Sequence, residues 1–375
     1  MDHAETFTTV NKENHNETKN DSDSLSIITL GYLENPEFPH SLHRRFFPCK
    51  AGGKPAWLDP ENIPDGDKIL VCHQCQLPMT FVLQIYASRD QPSDAFHRSI
   101  YIFACCNCTE TFIALRCQLP KHNRFYPPIP ADVLTEVSSE DDCLTKHCCV
   151  VCGIPTNQIE SRQEILCMKN NNIGACTVDL RIHNRCKNSI EWGCAVSTFP
   201  EAEIVIEDED MCTPLENEND LSYENELIKR YRLQEQENAD NTLDTSEQAA
   251  FEEIHNQHSF HDKTFSAFIN YMRQHPSHII RYAPKREPLW ISSHKKPTCS
   301  ELKTLIHPCE NCGGQREFEF QVQPNLIHYL RTDRLSFGVL CIFTCKNSCT
   351  ISNGSSRYVR EVVLVQPEPF RVTHS

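Results

Sequence analysis

The residues of this chain with the clearest chemistry are its cysteines. There are 22, and they fall in short groups, above all Cys72-x-x-Cys75 and Cys309-x-x-Cys312. A C-x-x-C turn places two sulfurs on one side of a tight loop. A second group follows each pair: Cys105, Cys106 and Cys108 after the first, Cys345 and Cys349 after the second. Two such turns held side by side form a tetrahedral four-sulfur site with metal–sulfur distances of roughly 2.3 Å for zinc. All four positions are then filled by protein, so the site is structural and offers no open position to water or substrate. Zinc is the expected metal, although an all-thiolate site also accepts iron. The reading assigns Cys72, Cys75, Cys105 and Cys108 to one Zn2+, with Cys106 as an alternative fourth ligand. It assigns Cys309, Cys312, Cys345 and Cys349 to a second.

Disulfides are the other reason to collect cysteines. Residues 1–24 are polar and acidic, with no apolar run behind a basic start, so an intracellular, reducing compartment is expected and metal is preferred to disulfides. Catalytic readings are weak. Cys72-His73 is a nucleophile beside a base only on paper, because neighbours on a strand point to opposite faces and Cys72 is needed by the metal. Gly52-Gly53-Lys54-Pro55 lacks the phosphate-loop pattern, and Pro55 removes a backbone donor; a tight turn that anchors Trp57 in the core is the better account. His97 and Arg98 read as a packed strand end rather than as a contact for an acidic ligand. No catalytic constellation is defensible, so the chain is expected not to be an enzyme.

The elements that must position these cysteines repeat. Phe81, Gln84 and Ile85 lie 6, 9 and 10 residues beyond Cys75, and Phe318, Gln321 and Val322 lie at the same offsets from Cys312. Each repeat then supplies a strand ending Ile-Phe-x-Cys, with Cys105 and Cys345 lying 30 and 33 residues beyond the pair. Such self-similarity identifies two related units. Short β-type runs dominate both: Met79–Tyr86 and Ser99–Phe103 in the first, Phe318–Val322 and Gly338–Phe343 in the second. Phe265, Phe268, Ile269 and Met272 have the spacing of an amphipathic helix, with Asp262 as its N-cap. The predicted organisation is β-rich α+β: a disordered tail at 1–24, an N-terminal β lobe at 25–142, a Cys-rich region at 143–198, an acidic linker at 199–258 with a solvated helix over Tyr223–Asn238, and a C-terminal β lobe at 259–375. From Glu201 to Thr245 there are 15 Asp/Glu against three Lys/Arg, whereas beyond Asn256 there are 15 Lys/Arg against nine Asp/Glu. No apolar run is long enough to span a membrane.

These residues also carry a resemblance. The chain resembles the programmed cell death protein 2 family through Leu30-Gly31-Tyr32, Ala51–Leu58, Cys72-His73-Gln74-Cys75, Phe81–Tyr86, Ala95–Arg98 and Gln118–Pro120. Further matches are Phe199–Glu207, Ile280–Tyr282, Pro288–Ser292, Cys309–Gly313, Phe318–Val322 and Phe343–Cys349. The resemblance implies two related zinc-ribbon-like β lobes and, between them, a MYND-type zinc finger. Cys149-Val150-Val151-Cys152-Gly153 keeps the opening pair of that finger, but Cys167, Cys176, His183, Cys186 and Cys194 depart from its spacing. Two zinc ions in a divergent arrangement and an eroded insert both remain open.

The resemblance further implies a cytoplasmic and nuclear protein that escorts one newly made, basic protein of the small ribosomal subunit, the counterpart of the bacterial S-five protein, toward 40S assembly. An acidic chain suits a basic client, because Coulomb attraction speeds encounter. The client is expected as an extended segment between the two lobes, adding to strand edges near Gln84–Tyr86 and Gln321–Gln323, on a monomer. The alternatives are a zinc-finger nucleic-acid binder, disfavoured by the acidic linker, and a MYND-type transcriptional or cell-death adaptor.

Overall fold

The computed structural model describes residues 27–127, 147–169, 172–191, 198–209, 262–351 and 357–369. The tail at 1–24 and the helix expected over Tyr223–Asn238 lie outside the described residues. Strands follow in the order β1 Thr29–Glu34, β2 Lys50–Ala51, β3 Thr80–Tyr86, β4 His97–Ala104, β5 Phe112–Leu119, β6 Ile159–Lys169, β7 Asn172–Arg181, β8 Ala202–Asp208, β9 Ile280–Tyr282, β10 Arg316–Val322, β11 Val339–Cys345 and β12 Val359–Gln366. Helices are α1 Gly66–Ile69, α2 Asn184–Glu191, α3 Lys263–Gln274, α4 Cys299–Leu305 and α5 Asn325–Tyr329. The β runs read from sequence become β3, β4, β10 and β11. The amphipathic helix is α3, whose apolar residues are buried and whose Asp262 carboxylate accepts from the Thr264 and Phe265 backbone N–H groups.

Ten strands close into one barrel in the order β1-β8-β2-β3-β4-β5-β12-β11-β10-β9, with β9 returning to β1. The two related lobes expected from the sequence are thus joined edge to edge in a single barrel. The two repeats are half-barrels, and each leaves edges that only the other half satisfies. One seam joins β5 to β12, with Arg116 opposite Val359. The other joins β1 to β8, with Tyr32 opposite Val205. β8 lies inside the segment expected to be an acidic linker. Its alternation explains why: Ile204 and Ile206 pack into the barrel core, whereas Glu203 and Glu207 lie on the opposite face, with Glu207 exposed. The strand edges proposed for client binding are occupied, since Gln84 pairs with Lys50 and Tyr101, and Gln321 with Arg281 and Cys341. A closed barrel abolishes free edges, so the clamp between lobes is overturned.

The halves exchange their outermost strands. Lys50 opposite Gln84 and Arg281 opposite Gln321 are equivalent pairings, and the register shifts at Phe81/Leu83 and Phe318/Phe320 match as well. By this equivalence β8-β2-β3-β4-β5 corresponds to β1-β9-β10-β11-β12. β1, the first strand among the described residues, therefore completes the C-terminal half, and β8, which follows the Cys-rich region, completes the N-terminal half.

The period of two along each strand divides the core. In β4, Ile100, Ile102 and Ala104 belong to the central cluster to which nearly every barrel strand contributes, while Tyr101 and Phe103 pack outward with Trp57 and Leu58. The C-terminal half repeats this with Trp290, Ile291 and the apolar face of α3. Each tryptophan loop is gripped by the repeated glutamine: Gln84 Oε1 accepts from Ala56 N at 2.8 Å and Gln321 Oε1 from Leu289 N at 2.7 Å. Gly52 and Gly53, both at φ near +65°, make the tight turn expected before Trp57, which is buried. His97 and Arg98 open β4. Arg98 is fully buried and donates to Glu319 at 2.5 and 2.7 Å, linking the two halves.

Candidate metal centres

The cysteine turns are built alike down to their backbone hydrogen bonds. Cys72 N donates to Leu77 O and Gln76 N to Cys72 O, both at 2.9 Å. Cys309 N donates to Gly314 O at 2.8 Å and Gly313 N to Cys309 O at 2.7 Å. The same pair recurs in the Cys-rich region, where Cys149 N donates to Ile154 O and Gly153 N to Cys149 O, both at 2.8 Å. In each turn the residue after the second cysteine is left-handed, with φ of 59° at Gln76 and 69° at Gly153 and Gly313. That conformation aims two sulfurs at one point, and glycine adopts it without a Cβ penalty.

Each turn meets a second pair of ligands. Cys105 follows the last residue of β4 and Cys108 closes the next turn, its N–H donating to Cys105 Sγ at 3.3 Å. Cys345 ends β11, and Cys349 follows after Ser348, a residue at φ 43°. In the middle region the hairpin β6–β7 leads into His183, and Cys186 sits in the first turn of α2. His183 N donates to Cys149 Sγ at 3.4 Å, and His183 Nδ1 lies 3.4 Å from Cys152 Sγ. The donor atoms of Cys72, Cys75, Cys105 and Cys108 all lie within 4.8 Å of one another, as do those of Cys149, Cys152, His183 and Cys186, and those of Cys309, Cys312, Cys345 and Cys349.

All ten sequence-predicted ligands thus fall in clusters. Cys108 and not Cys106 is the fourth member of the first, because the Cys106 thiol turns to Thr80 Oγ1 at 3.4 Å. Among the described side chains the middle region gathers one four-ligand set, Cys149, Cys152, His183 and Cys186. Cys167 and Cys176 belong to β6 and β7 by their backbone, and their side chains, like Cys143 and Cys194, lie outside the described residues. His183 and Cys186 were visible in the sequence but unassigned. The shared C-x-x-C-x-x-P pattern of Cys72–Pro78 and Cys149–Pro155, which forms the matching bridges Val71–Pro78 and Cys148–Pro155, marks a third turn of the same kind and so calls for a second ligand pair downstream, without naming it.

Electrostatics favour thiolate at defined points. Burial opposes ionisation of Cys72, but the N–H groups of Cys75 and Gln74 and the thiols of Cys105 and Cys75 bring its pKa down to about 6. The Gly314 N–H, against burial, brings Cys312 to about 7. Burial, with neighbouring thiolates, pushes Cys105 and Cys349 up to about 12. A cation is what would let all four sulfurs of a cluster ionise together. Outer donors are present for such a charge: Asn311 Nδ2 lies 3.1 Å from Cys349 Sγ, and guanidinium nitrogens of Arg116 and Arg185 lie 3.9 Å from Cys349 and Cys152. The donor sets fit a tetrahedral metal. Bonds of roughly 2.3 Å require sulfurs about 3.8 Å apart, and Cys75–Cys105, Cys309–Cys349 and Cys312–Cys345 are each 3.5 Å apart. Each cluster offers four protein donor atoms, the number that fills a tetrahedral shell.

Comparison with known proteins follows the two halves of the barrel. The family described as "Programmed cell death protein 2, N-terminal domain" matches residues 27–133, and "Programmed cell death protein 2, C-terminal putative domain" matches residues 262–367. The chain is similar to programmed cell death protein 2 of Mus musculus, 32% identical over 90% of this chain and 96% of the relative. It is 33% identical to the Bos taurus protein of that name over 92% of this chain and 98% of the relative. Programmed cell death protein 2-like of Homo sapiens is 27% identical over 85% and 90%. No solved structure matches the chain.

Proposed function

This chain belongs to the programmed cell death protein 2 family, and we propose that it is a structural-zinc protein that binds and protects a newly made basic protein of the small ribosomal subunit. The observation that carries the reading is the set of three closed, four-ligand Cys/His clusters on one barrel. Closed shells favour a scaffold over a catalyst. Zinc is preferred to iron because the middle cluster joins a histidine nitrogen to three cysteine sulfurs, a donor set of the structural-zinc type. Zinc would pin the turns and strand ends, and so hold a surface in shape for a partner.

The client class rests on the family resemblance and on charge. A net charge of −15 favours a basic partner and disfavours phosphate backbones. The protein would act as a monomer in cytoplasm and nucleus, ahead of 40S assembly, and it would not be an enzyme. With the barrel closed, the client must meet its exterior or the acidic segment beyond Glu209. The test is affinity capture of the tagged full-length chain from cells, followed by protein and RNA identification. Recovery of one small-subunit ribosomal protein of the S-five class is expected. Recovery of RNA alone, or of assorted peptide-motif proteins without it, would overturn the reading.

A further inference from the structure

The three clusters are not equivalent in what surrounds them. Cys72 and Cys105 of the first cluster and Cys149, Cys152 and Cys186 of the middle one are buried in a single apolar cluster that also holds Trp57, Met79 and Phe103. Cys309 and Cys345 sit in a separate small cluster with Val359. Two quartets therefore share one core, and the third has its own.

A specific side chain ties the pair together. Arg185 lies between His183 and Cys186, two ligands of the middle cluster. Its guanidinium donates to Pro78 O at 2.8 Å, Thr80 Oγ1 at 3.0 Å and Met79 O at 2.8 Å. Those three residues carry the chain from the Cys72–Cys75 turn into β3. The same guanidinium lies 3.9 Å from Cys152 Sγ. A planar fork that makes several bonds at once fixes position and angle as an ammonium cannot. Independent contacts run alongside: Trp57 Nε1 donates to Gly153 O at 2.9 Å, and Asn157 N donates to Asp67 Oδ2 at 2.8 Å. A Cβ on Gly153 would sit 2.9 Å from Lys54 Cβ, so the middle turn is pressed against the loop before Trp57.

We propose that the first and middle centres take up and release metal as one unit, with Arg185 as the positioning residue that couples them, while the C-terminal centre is loaded separately. When metal holds His183 and Cys186, Arg185 is held in place to secure the segment after the first turn. When the middle centre is empty, that segment loses three hydrogen bonds and the first quartet loses its alignment. The proposal rests on the reading of the clusters as zinc sites.

The test follows each cysteine separately. The zinc-loaded full-length chain is treated with a chelator, and alkylation of every cysteine is timed by peptide mass spectrometry. In the wild type, the seven cysteines of the first and middle centres are expected to become reactive with one rate constant, and Cys309, Cys312, Cys345 and Cys349 with another. Removing an outer support of a metal ligand typically lowers affinity by about 10–100-fold. Arg185→Ala should therefore accelerate alkylation of Cys72, Cys75, Cys105 and Cys108 by about tenfold or more and leave the C-terminal quartet unchanged. Two distinct rate constants for the first and middle centres in the wild type would overturn the coupling, an arm that needs no variant. So would an Arg185→Ala chain whose first quartet keeps its wild-type rate, or one whose three quartets all accelerate alike. Rapid alkylation of all the clusters before any chelator is added would overturn the metal reading itself, and the coupling with it.

Discussion

Removing the Glu319 carboxylate should destabilise the whole barrel, because it strands a buried cation. Arg98 and Glu319 are both fully buried and form a two-pronged pair at 2.5 and 2.7 Å between β4 and β10. Glu319 also accepts from the Tyr282 hydroxyl at 2.9 Å and lies 3.5 Å from Arg89. In Glu319→Gln the volume is kept, but the fully buried Arg98 guanidinium loses the carboxylate it is directly paired with. Breaking a buried pair in this way costs about 3–5 kcal/mol. Replacing both partners, Arg98→Met with Glu319→Leu, removes the desolvation penalty as well and should recover most of that loss. Urea denaturation followed by tryptophan fluorescence measures both variants, with Trp57 and Trp290 reporting on the two halves. Acid adds a signature. Burial raises the Glu319 pKa, but Arg98 and Arg89 outweigh it and hold the carboxyl well below its usual range. A depressed carboxylate contributes stability that is complete above its unfolded pKa of about 4.3 and is lost as pH falls through the folded value. Wild type should lose this contribution only below about pH 4, and Glu319→Gln should lack that part of the acid dependence. A single-variant loss under about 1 kcal/mol, or a double variant no better than the single, would refute the reasoning.

Three further outcomes are expected. Metal analysis of the purified chain should give three zinc ions, one per cluster, and Cys186→Ser should lower the count; two or fewer in the wild type would count against the middle centre. Binding should release protons, because thiols such as Cys105 hold theirs to about 12, so zinc affinity must fall as pH falls; titration calorimetry in buffers of different ionisation enthalpy reads this directly. At the left-handed position that follows each C-x-x-C, Gly153→Ala should destabilise by about 1–2 kcal/mol, whereas Gln76→Gly should be neutral or stabilising by up to about 1 kcal/mol; thermal melts that reverse this order would sink the equivalence of the turns.

Much of the site was legible in the sequence, and less of the fold. Cysteine spacing is set by local turn geometry, so Cys72, Cys75, Cys309 and Cys312 announce themselves, and equal offsets to Gln84 and Gln321 reveal the repeat. The N-cap at Asp262 is likewise local. Closure of the barrel depends on pairings such as Tyr32 with Val205 and Arg116 with Val359, which no local pattern encodes. β8 was hidden because it opens the Glu201–Thr245 segment, whose 15 Asp/Glu dominate its composition, while Ile204 and Ile206 speak only at a period of two. His183 and Cys186 went unassigned because the hairpin β6–β7 separates them from their partners by some 30 residues.

The exchange of β1 and β8 makes the molecule hard to take apart by cutting it. A protease that nicked the chain between Glu209 and Asp262 would yield an N-terminal piece carrying β1 through β8 and a C-terminal piece carrying β9 through β12. The pieces would not drift apart, since β1 remains hydrogen-bonded to β9 and β5 to β12, and the buried Arg98–Glu319 and Arg116–Glu361 pairs span the break. Biosynthesis meets the same constraint from the other side. β1 must wait for Ile280–Tyr282 to be synthesised before it gains that second neighbour, and the barrel closes only once β12, Val359–Gln366, has also left the ribosome.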